Sequence, residues 1–294
     1  MRITRRSLLA GVALGATGCA GSPTIQAPTV SPTPDPVPVQ EPWAVEATAT
    51  AAALRSQVAA APPSAWVVAA LGLCDEQLAL FAALDPFAEA PEPGFDVPPP
   101  PTGEAGTALP AAIEEARQRF AAQVAGAPGQ PERLLLASAS CAVAALADQT
   151  TLPEPGGMPR RFAEATLDDS LPVALSHVWA LLQGLEIGLG RLPRKDPLRD
   201  HAAARLPEAR TERNRLRDLI QGEAPRQPAS LQMPTPMTTP DEIRAGWAAL
   251  ELGLLDGYGR LTAVDAAWLP SMQGQVPRIQ ALGGRLPHWP GWAG

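Results

Sequence analysis

One repeating pattern in the second half of the chain constrains the fold most. Apolar residues recur there at alternating spacings of four and three, which is typical of a helix that packs along one side in a bundle. The positions are Leu171, Leu175, Val178, Leu182, Leu185, Leu189 and Leu192. A second series with this spacing comprises Ile243, Trp247, Leu250, Leu254, Gly257, Leu261 and Val264. The two series predict two long helices that share a core.

The kinds of apolar residue also favour helices. Hydrophobic residues make up 46% of the chain, yet it contains only five Phe, one Tyr and five Met. Alanine is the commonest apolar residue, and it is the strongest helix former. Strands need β-branched and aromatic residues, which are scarce here. We therefore expect an all-α protein.

Proline and glycine divide the chain into segments. Residues 19–42 are rich in proline and are expected to form an extended stalk. A first helical region is predicted at 43–150, a linker at 151–168, a second region at 169–287 and a Trp/Pro tail at 288–294. We expect the tail to pack as a strap over the bundle of the second region, and the alternative is contact with the membrane or a partner. In the first region we predict helices near 45–60, 64–84, 108–125 and 131–149. In the second region, helices near 197–222, 243–264 and 265–282 follow the one that carries the first leucine series.

The N-terminus resembles a bacterial export signal. Arg5 and Arg6 precede an apolar run that is too short to cross a bilayer, as in twin-arginine signals. The sequence Ala-Thr-Gly that ends at Cys19 resembles a lipobox, which implies a signal peptide at 1–18 and a lipid on Cys19. We expect an exported protein anchored to the outer face of the cell membrane by that lipid. The alternative is an ordinary cleaved secretory signal with an incidental cysteine.

The charge of the chain bears on its partners. Its net charge is −7, and without residues 1–18, which carry three arginines and no acid, 20 basic residues face 30 acidic ones, a net charge of −10. This acidity argues against a nucleic-acid partner. The expected partners are the membrane, through the N-terminal lipid, and an envelope protein or lipid.

Two cysteines remain once Cys19 is assigned to the lipid. Cys74 and Cys141 form an even pair in an oxidising compartment, so the simplest prediction is a disulfide between them. The alternative is two free thiols buried as small apolar side chains. The spacing of Cys and His residues matches no zinc motif.

Three stretches of the second region carry a resemblance to known proteins. They are LLQGLEIGLG at 181–190, EARTERNRLR at 208–217 and AALE at 248–251. Together they resemble a family of ferritin-like domains of unknown function found in exported lipoproteins of high-GC bacteria. The resemblance covers 169–287 and implies a four-helix bundle in the cell envelope, without implying an activity. The proline- and methionine-rich stretch at 223–239 is long enough for the end-to-end crossing that such bundles contain.

A ferritin-like di-iron site needs one Glu on each of two helices and a Glu-x-x-His motif on each of the other two. Glu186 and Glu251 fit the single carboxylates, but the chain contains no Glu-x-x-His. A distorted mononuclear site that uses His177 and His201 is the alternative. We expect instead two partly buried glutamates paired with arginines of the second helix, such as Arg213, and no metal or other cofactor.

No arrangement of residues predicts catalysis. Ser176 and His177 are adjacent on a predicted helix, so their side chains point apart. The glycines at 184, 188 and 190 lie within a helix and do not form a phosphate-binding loop. We therefore expect a binding or structural module of the cell envelope rather than an enzyme. The alternative is a metal-binding protein or enzyme that uses Glu186, Glu251 and His177.

Overall fold

The computed structural model describes residues 38–97, 99 and 108–292. These residues form helices and the loops that connect them, and they include no β-strand. The helices are α1 Pro42–Ala59, α2 Ala65–Phe81, α3 Leu109–Val124, α4 Gln130–Ala145, α5 Leu167–Arg191, α6 Leu198–Leu219, α7 Pro240–Val264, α8 Leu269–Gln273 and α9 Gln275–Ala281. A 3-10 turn at Ala266–Trp268 joins α7 to α8. The all-α prediction is confirmed. Arg5, Arg6 and Cys19, with the predicted signal peptide, lie outside the described residues.

The first four helices form two hairpins, α1 with α2 and α3 with α4. The hydroxyl of Ser64 accepts a hydrogen bond from the Val67 backbone N–H (3.1 Å) and caps the start of α2. The helix ends earlier than residue 84 because the Leu84 N–H donates to the Glu92 carbonyl, which turns the backbone back on itself. Phe81 of α2 stacks on Phe120 of α3, with ring centroids 5.6 Å apart, and this contact joins the hairpins.

Helix α4 is the centre of the molecule. Its sides contact α3 in one direction and α7, α8 and α9 in the other. Its completely buried side chains include Leu135, Leu136, Ala139 and Val143. One continuous hydrophobic core therefore extends through both groups of helices.

Cys74 and Cys141 lie in this core as free thiols, so the predicted disulfide is not present in the structure. Both side chains are completely buried. Burial raises the pKa of each thiol to about 12, so both are protonated at neutral pH. Each cysteine fills a core position as a small apolar side chain, which was the alternative prediction.

Capping boxes fix the starts of the two long helices α5 and α7. Thr166 and Asp169 form one, and Thr239 and Glu242 form the other. Both leucine-rich series face the core. Every member is buried except Leu189 and Val264, which lie near the ends of α5 and α7 and are partly exposed. Among the described helices, α5 has the length and hydropathy of a membrane-spanning segment. Its apolar face packs on α6 and α7, as in a core helix of a globular protein.

Helices α6 and α7 run in the same direction. Arg205 of α6 pairs with Glu251 of α7, and further along α6 the Arg215 guanidinium stacks over Trp268, just beyond the end of α7. The connection between them must therefore return along the length of the bundle, as the length of the 223–239 stretch predicts. Met237 is completely buried within this connection and anchors it.

The last predicted helix, at 265–282, is broken into the 3-10 turn, α8 and α9. Pro270 and Pro277 lie within this segment and lack the backbone N–H that a continuous helix needs. The second region therefore has three long helices, α5, α6 and α7. Helix α4 of the first region packs on α7, next to the short helices α8 and α9.

The C-terminal tail packs as a strap that contacts α7 of the second region, as predicted, but also α2 of the first region and the linker. The Glu154 N–H donates to the Leu286 carbonyl (3.1 Å), and the His288 N–H donates to the Glu154 carbonyl (2.9 Å). The buried Trp289 indole N–H donates to Glu76 of α2 at 2.7 Å. The other Glu76 oxygen lies 2.7 Å from Nδ1 of His288. The tail is therefore tied to three other parts of the chain.

Candidate functional site

A cleft of about 870 Å³ lies where α4, the linker, α5, α7 and the tail meet. Small-molecule sites in proteins have volumes of about 300–1,000 Å³. The polar and aromatic side chains that line the cleft include Arg160, Arg161, His177, Asp256, Arg260 and Trp292. A second cavity, of about 510 Å³, lies between α7 and α9 and is lined by small and aliphatic residues together with Asp241, Arg244 and Arg285. The first cleft is the candidate site because imidazole, carboxylate and guanidinium groups meet there beside aromatic rings.

Helices α5 and α7 contribute three polar side chains to the cleft. Asp256 and Arg260 are one turn apart on α7 and therefore share a face. His177 faces them from α5, where α7 has glycines. A Cβ at Gly253 would lie 3.2 Å from Nδ1 of His177, and one at Gly257 would lie 3.0 Å from Cδ2. The absence of side chains at these two positions gives the imidazole its place against α7.

The predicted linker forms a wall of the cleft. The Gln130 side-chain amide donates to the Ala165 carbonyl (2.8 Å) and accepts from the Ala165 N–H (2.9 Å). Phe162 packs edge-on against Trp292, with ring centroids 5.6 Å apart, and Phe87 lies on Trp292 at 5.9 Å. A segment expected to do no more than connect two regions is thus fixed by an amide clamp and an aromatic cluster.

Asp256 fastens the tail to α7. Its carboxylate accepts a hydrogen bond from the Gly291 backbone N–H at 3.0 Å. Gly291 has a positive φ of 91°, a conformation that favours glycine. Burial raises the pKa of Asp256 to about 6, although the hydrogen bond from Gly291 acts in the opposite direction.

The arginines of the cleft differ in how they are paired. Arg161 lies 3.4 Å from Asp85 and 3.6 Å from Glu132. Arg160 and Arg260 are exposed, and neither forms a salt bridge with another described residue. Burial lowers the pKa of His177, so its imidazole is neutral at pH 7. The cleft therefore has a positive lining in a chain whose net charge is −7.

A second group of charges is buried between α6, α7 and α9. The Arg205 guanidinium binds Glu251 through Nε at 2.7 Å and through Nη2 at 3.2 Å, and it binds Glu212 at 2.9 Å. Arg278 of α9 binds the other Glu212 oxygen at 3.0 Å. Arg205 is 3% exposed and Glu251 is completely buried. This network connects three helices through charged hydrogen bonds.

Burial has opposite effects on the pKa values of Arg205 and Glu251. Burial would lower the pKa of Arg205, but its hydrogen bonds and ion pairs with Glu251 and Glu212 outweigh this effect, so the guanidinium stays charged. Burial raises the pKa of Glu251, and Arg205 pulls it back.

The two predicted glutamates have different environments. Glu251 is paired with an arginine of the second helix, as expected, but the arginine is Arg205 rather than Arg213, which bonds to its neighbour Asn214. Glu186 was predicted to be partly buried, and this is wrong. Its side chain is 58% exposed and lies 3.4 Å from that of Arg210.

The four candidate metal ligands do not form one site. Glu186 is on the surface, Glu251 is bound by Arg205, and His177 lines the cleft. His201 stacks on Trp247, with centroids 5.9 Å apart, and burial lowers its pKa. Within the described part of the chain, no group of three or more His, Cys, Asp or Glu side chains is placed to hold a metal ion.

Among the polar residues of the cleft, only His177 was predicted from the sequence. Asp256, Arg260 and the Arg160-Arg161 pair were not predicted, although two adjacent arginines in a linker without other basic residues were a visible signal. No protein family, curated protein or solved structure matches this chain. Function is therefore inferred from the geometry of the cleft.

Asp256→Asn is expected to raise the free energy of unfolding at pH 7 by about 1–2 kcal/mol. Asparagine keeps an acceptor for the Gly291 N–H but cannot ionise. A carboxyl whose pKa is raised on folding binds its proton more tightly in the native state, so its ionisation opposes folding. The wild type therefore loses stability relative to the variant as the pH rises from about 4 to 7.

Urea unfolding at about pH 4.5 and pH 7 measures this difference. The exposed Asp218→Asn on α6 is the control and should change little at either pH. If Asp256→Asn raised the free energy of unfolding by the same amount at both pH values, the raised pKa of the buried carboxyl could not be the cause.

Proposed function

We propose that the protein is a ligand-binding module of the cell envelope, anchored to the outer face of the membrane by a lipid on Cys19, and that its cleft holds a small organic molecule. The observation that carries this proposal is the cleft of about 870 Å³. Like typical ligand sites, it combines aromatic and aliphatic walls with a few convergent polar groups. Its walls come from five separate parts of the chain, and hydrogen bonds at Gln130 and Asp256 hold two of those parts in place.

The proposal includes a ferritin-like arrangement of the C-terminal helices without a di-iron centre. The parallel directions of α6 and α7, with a long connection between them, support this arrangement. Glu251 is the candidate iron ligand that faces the interior, and the Arg205 guanidinium engages both of its carboxylate oxygens. A guanidinium in this position favours a structural role for the carboxylate.

Filling the cleft tests the proposed binding. Val173 lines the cleft on α5, and Val173→Trp should weaken the binding of the apolar fluorophore N-phenyl-1-naphthylamine at least about tenfold. The matched control is Val68→Trp, at an exposed valine of α2, which should bind the fluorophore as the wild type does. Fluorescence titration gives the affinities, and circular dichroism verifies that both variants are folded. Equal binding by the two variants would overturn the proposal that this cleft is the binding site.

Cys19→Ala tests the anchor. Each buried CH₂ of an attached lipid contributes about 0.8 kcal/mol to membrane binding, so loss of the lipid should move the protein from the membrane fraction to the soluble fraction. Cys74→Ala is the control, since Cys74 is a buried core residue. Immunoblots of the two fractions give the distribution. A Cys19→Ala protein that remains in the membrane fraction would refute anchoring by lipid.

A further inference from the structure

We infer that the ligand of the cleft is an anionic amphiphile, with an acid group that Arg160 and Arg260 bind and an apolar body that lies against Phe162 and Trp292. This inference rests on the proposed function, because it specifies the chemistry of a ligand in the same cleft. The acid group is a carboxylate, phosphate or sulfonate, since a guanidinium binds any of these through charged, paired hydrogen bonds.

The charges of the cleft support the acid group. Three of the four charged side chains that line it are arginines, although acids outnumber bases in the chain as a whole. Asp85 and Glu132 already neutralise Arg161. Arg160 and Arg260 are exposed and form no salt bridge with another described residue. Asp169 of α5 has a lowered pKa, mainly through hydrogen bonds with Thr166 and to a smaller extent through the charge of Arg260. Since neither guanidinium is held in a salt bridge, both can bind a ligand.

The other two titratable groups of the cleft determine where an anion binds. Asp256 already accepts the Gly291 N–H, and its negative charge repels an acid group. His177 has no hydrogen-bond partner among the described residues, and a neutral imidazole offers one N–H donor. An acid group therefore gains most beside Arg260 and Arg160, with the imidazole as an additional donor.

The apolar side chains of the cleft support the amphiphilic body. Met158 of the linker lines the cleft, and its large apolar side chain is 40% exposed. Phe162 and Trp292 stand nearby with their rings in edge contact, and Val173 adds an aliphatic surface on α5. A ligand that covers these side chains removes apolar surface from water.

Two fluorophores that differ by one acid group test the inference. 1-Anilinonaphthalene-8-sulfonate is N-phenyl-1-naphthylamine with an added sulfonate. The full chain with Cys19→Ala is used, so that neither dye dissolves in an attached lipid. We expect it to bind the sulfonate at least about tenfold more tightly than the neutral dye.

Arginine substitutions locate the acid group. The double variant Arg160→Gln/Arg260→Gln should weaken sulfonate binding about tenfold and change binding of the neutral dye less than about twofold. The matched control is Arg244→Gln/Arg285→Gln, which removes two exposed arginines from the second cavity and should leave both affinities unchanged. Equal losses for both dyes in the first variant would overturn the acid-group inference and leave the proposed function intact. If neither dye binds to the protein, or if Val173→Trp leaves dye binding unchanged, the proposed function fails as well.

Competition separates an amphiphile from a simple anion. Decyl phosphate should displace the sulfonate dye at concentrations at least about tenfold lower than inorganic phosphate does, because its alkyl chain occupies the apolar part of the cleft. Displacement by inorganic phosphate at equal concentration would overturn the inference of an apolar ligand body.

Discussion

Arg205→Ala is expected to lower the free energy of unfolding by about 3–5 kcal/mol. The substitution leaves the completely buried Glu251 carboxylate without the guanidinium that binds both of its oxygens. It also removes a partner from Glu212, which then depends on Arg278. A buried charge that has lost its partner keeps its desolvation penalty without the compensating attraction. Urea unfolding followed by circular dichroism gives the change.

The exposed pair between Arg210 of α6 and Glu186 of α5 is the matched control. Arg210 lies 3.4 Å from Glu186, and both side chains are more than half exposed. Arg210→Ala should therefore cost less than about 0.5 kcal/mol. Arg205→Met combined with Glu251→Leu should cost much less than Arg205→Ala, because both desolvation penalties disappear together. A loss below about 1 kcal/mol for Arg205→Ala would contradict a structural role for the buried pair.

Gly188→Ala is expected to lower the free energy of unfolding by about 2–3 kcal/mol. A Cβ at this position would lie 2.4 Å from Cζ2 of Trp247 and 2.8 Å from Cγ2 of Ile243. Trp247 is completely buried, and its indole N–H donates to the Gly184 carbonyl at 2.8 Å, so the ring has no room to move without losing that bond. Thermal and urea unfolding measure the loss.

Gly190→Ala, two residues further along α5, is the control for Gly188→Ala. A Cβ there meets no atom within 4 Å. Alanine loses less conformational entropy than glycine on entering a helix, so this variant should gain about 0.5–1 kcal/mol. If Gly188→Ala lowers the free energy of unfolding and Gly190→Ala raises it, the loss comes from the contact between α5 and α7. Equal effects would contradict that attribution.

The helices themselves follow from local sequence. The spacing of leucines predicts α5 and α7 because a helix places every third or fourth residue on one face. Thr166 with Asp169 and Thr239 with Glu242 fix where these helices begin, since each pair satisfies backbone N–H groups within a single turn. Pro270 and Pro277 interrupt the last segment for the equally local reason that proline lacks an N–H.

The environments of the two candidate glutamates do not follow from local sequence. Glu186 and Glu251 each come one residue after a leucine of an inward-facing series, so their local patterns are the same. Helix α5 packs against α6 and α7, whereas α7 is also contacted by α4, α8 and α9. Both flanks of α7 are therefore covered, and Glu251 is buried while Glu186 is exposed.

By itself, the sequence determined the helical class, the positions of the long helices and the length of the crossing between α6 and α7, because these depend on neighbours along the chain. The tertiary structure decided which cysteines and carboxylates are buried, and it alone assembled the cleft. Gln130, Arg160, His177, Asp256 and Trp292 are far apart in sequence and meet only when α4, the linker, α5, α7 and the tail pack together. Spacing along one element cannot specify contacts between five elements, since these depend on how helices rotate and cross when their apolar faces are buried.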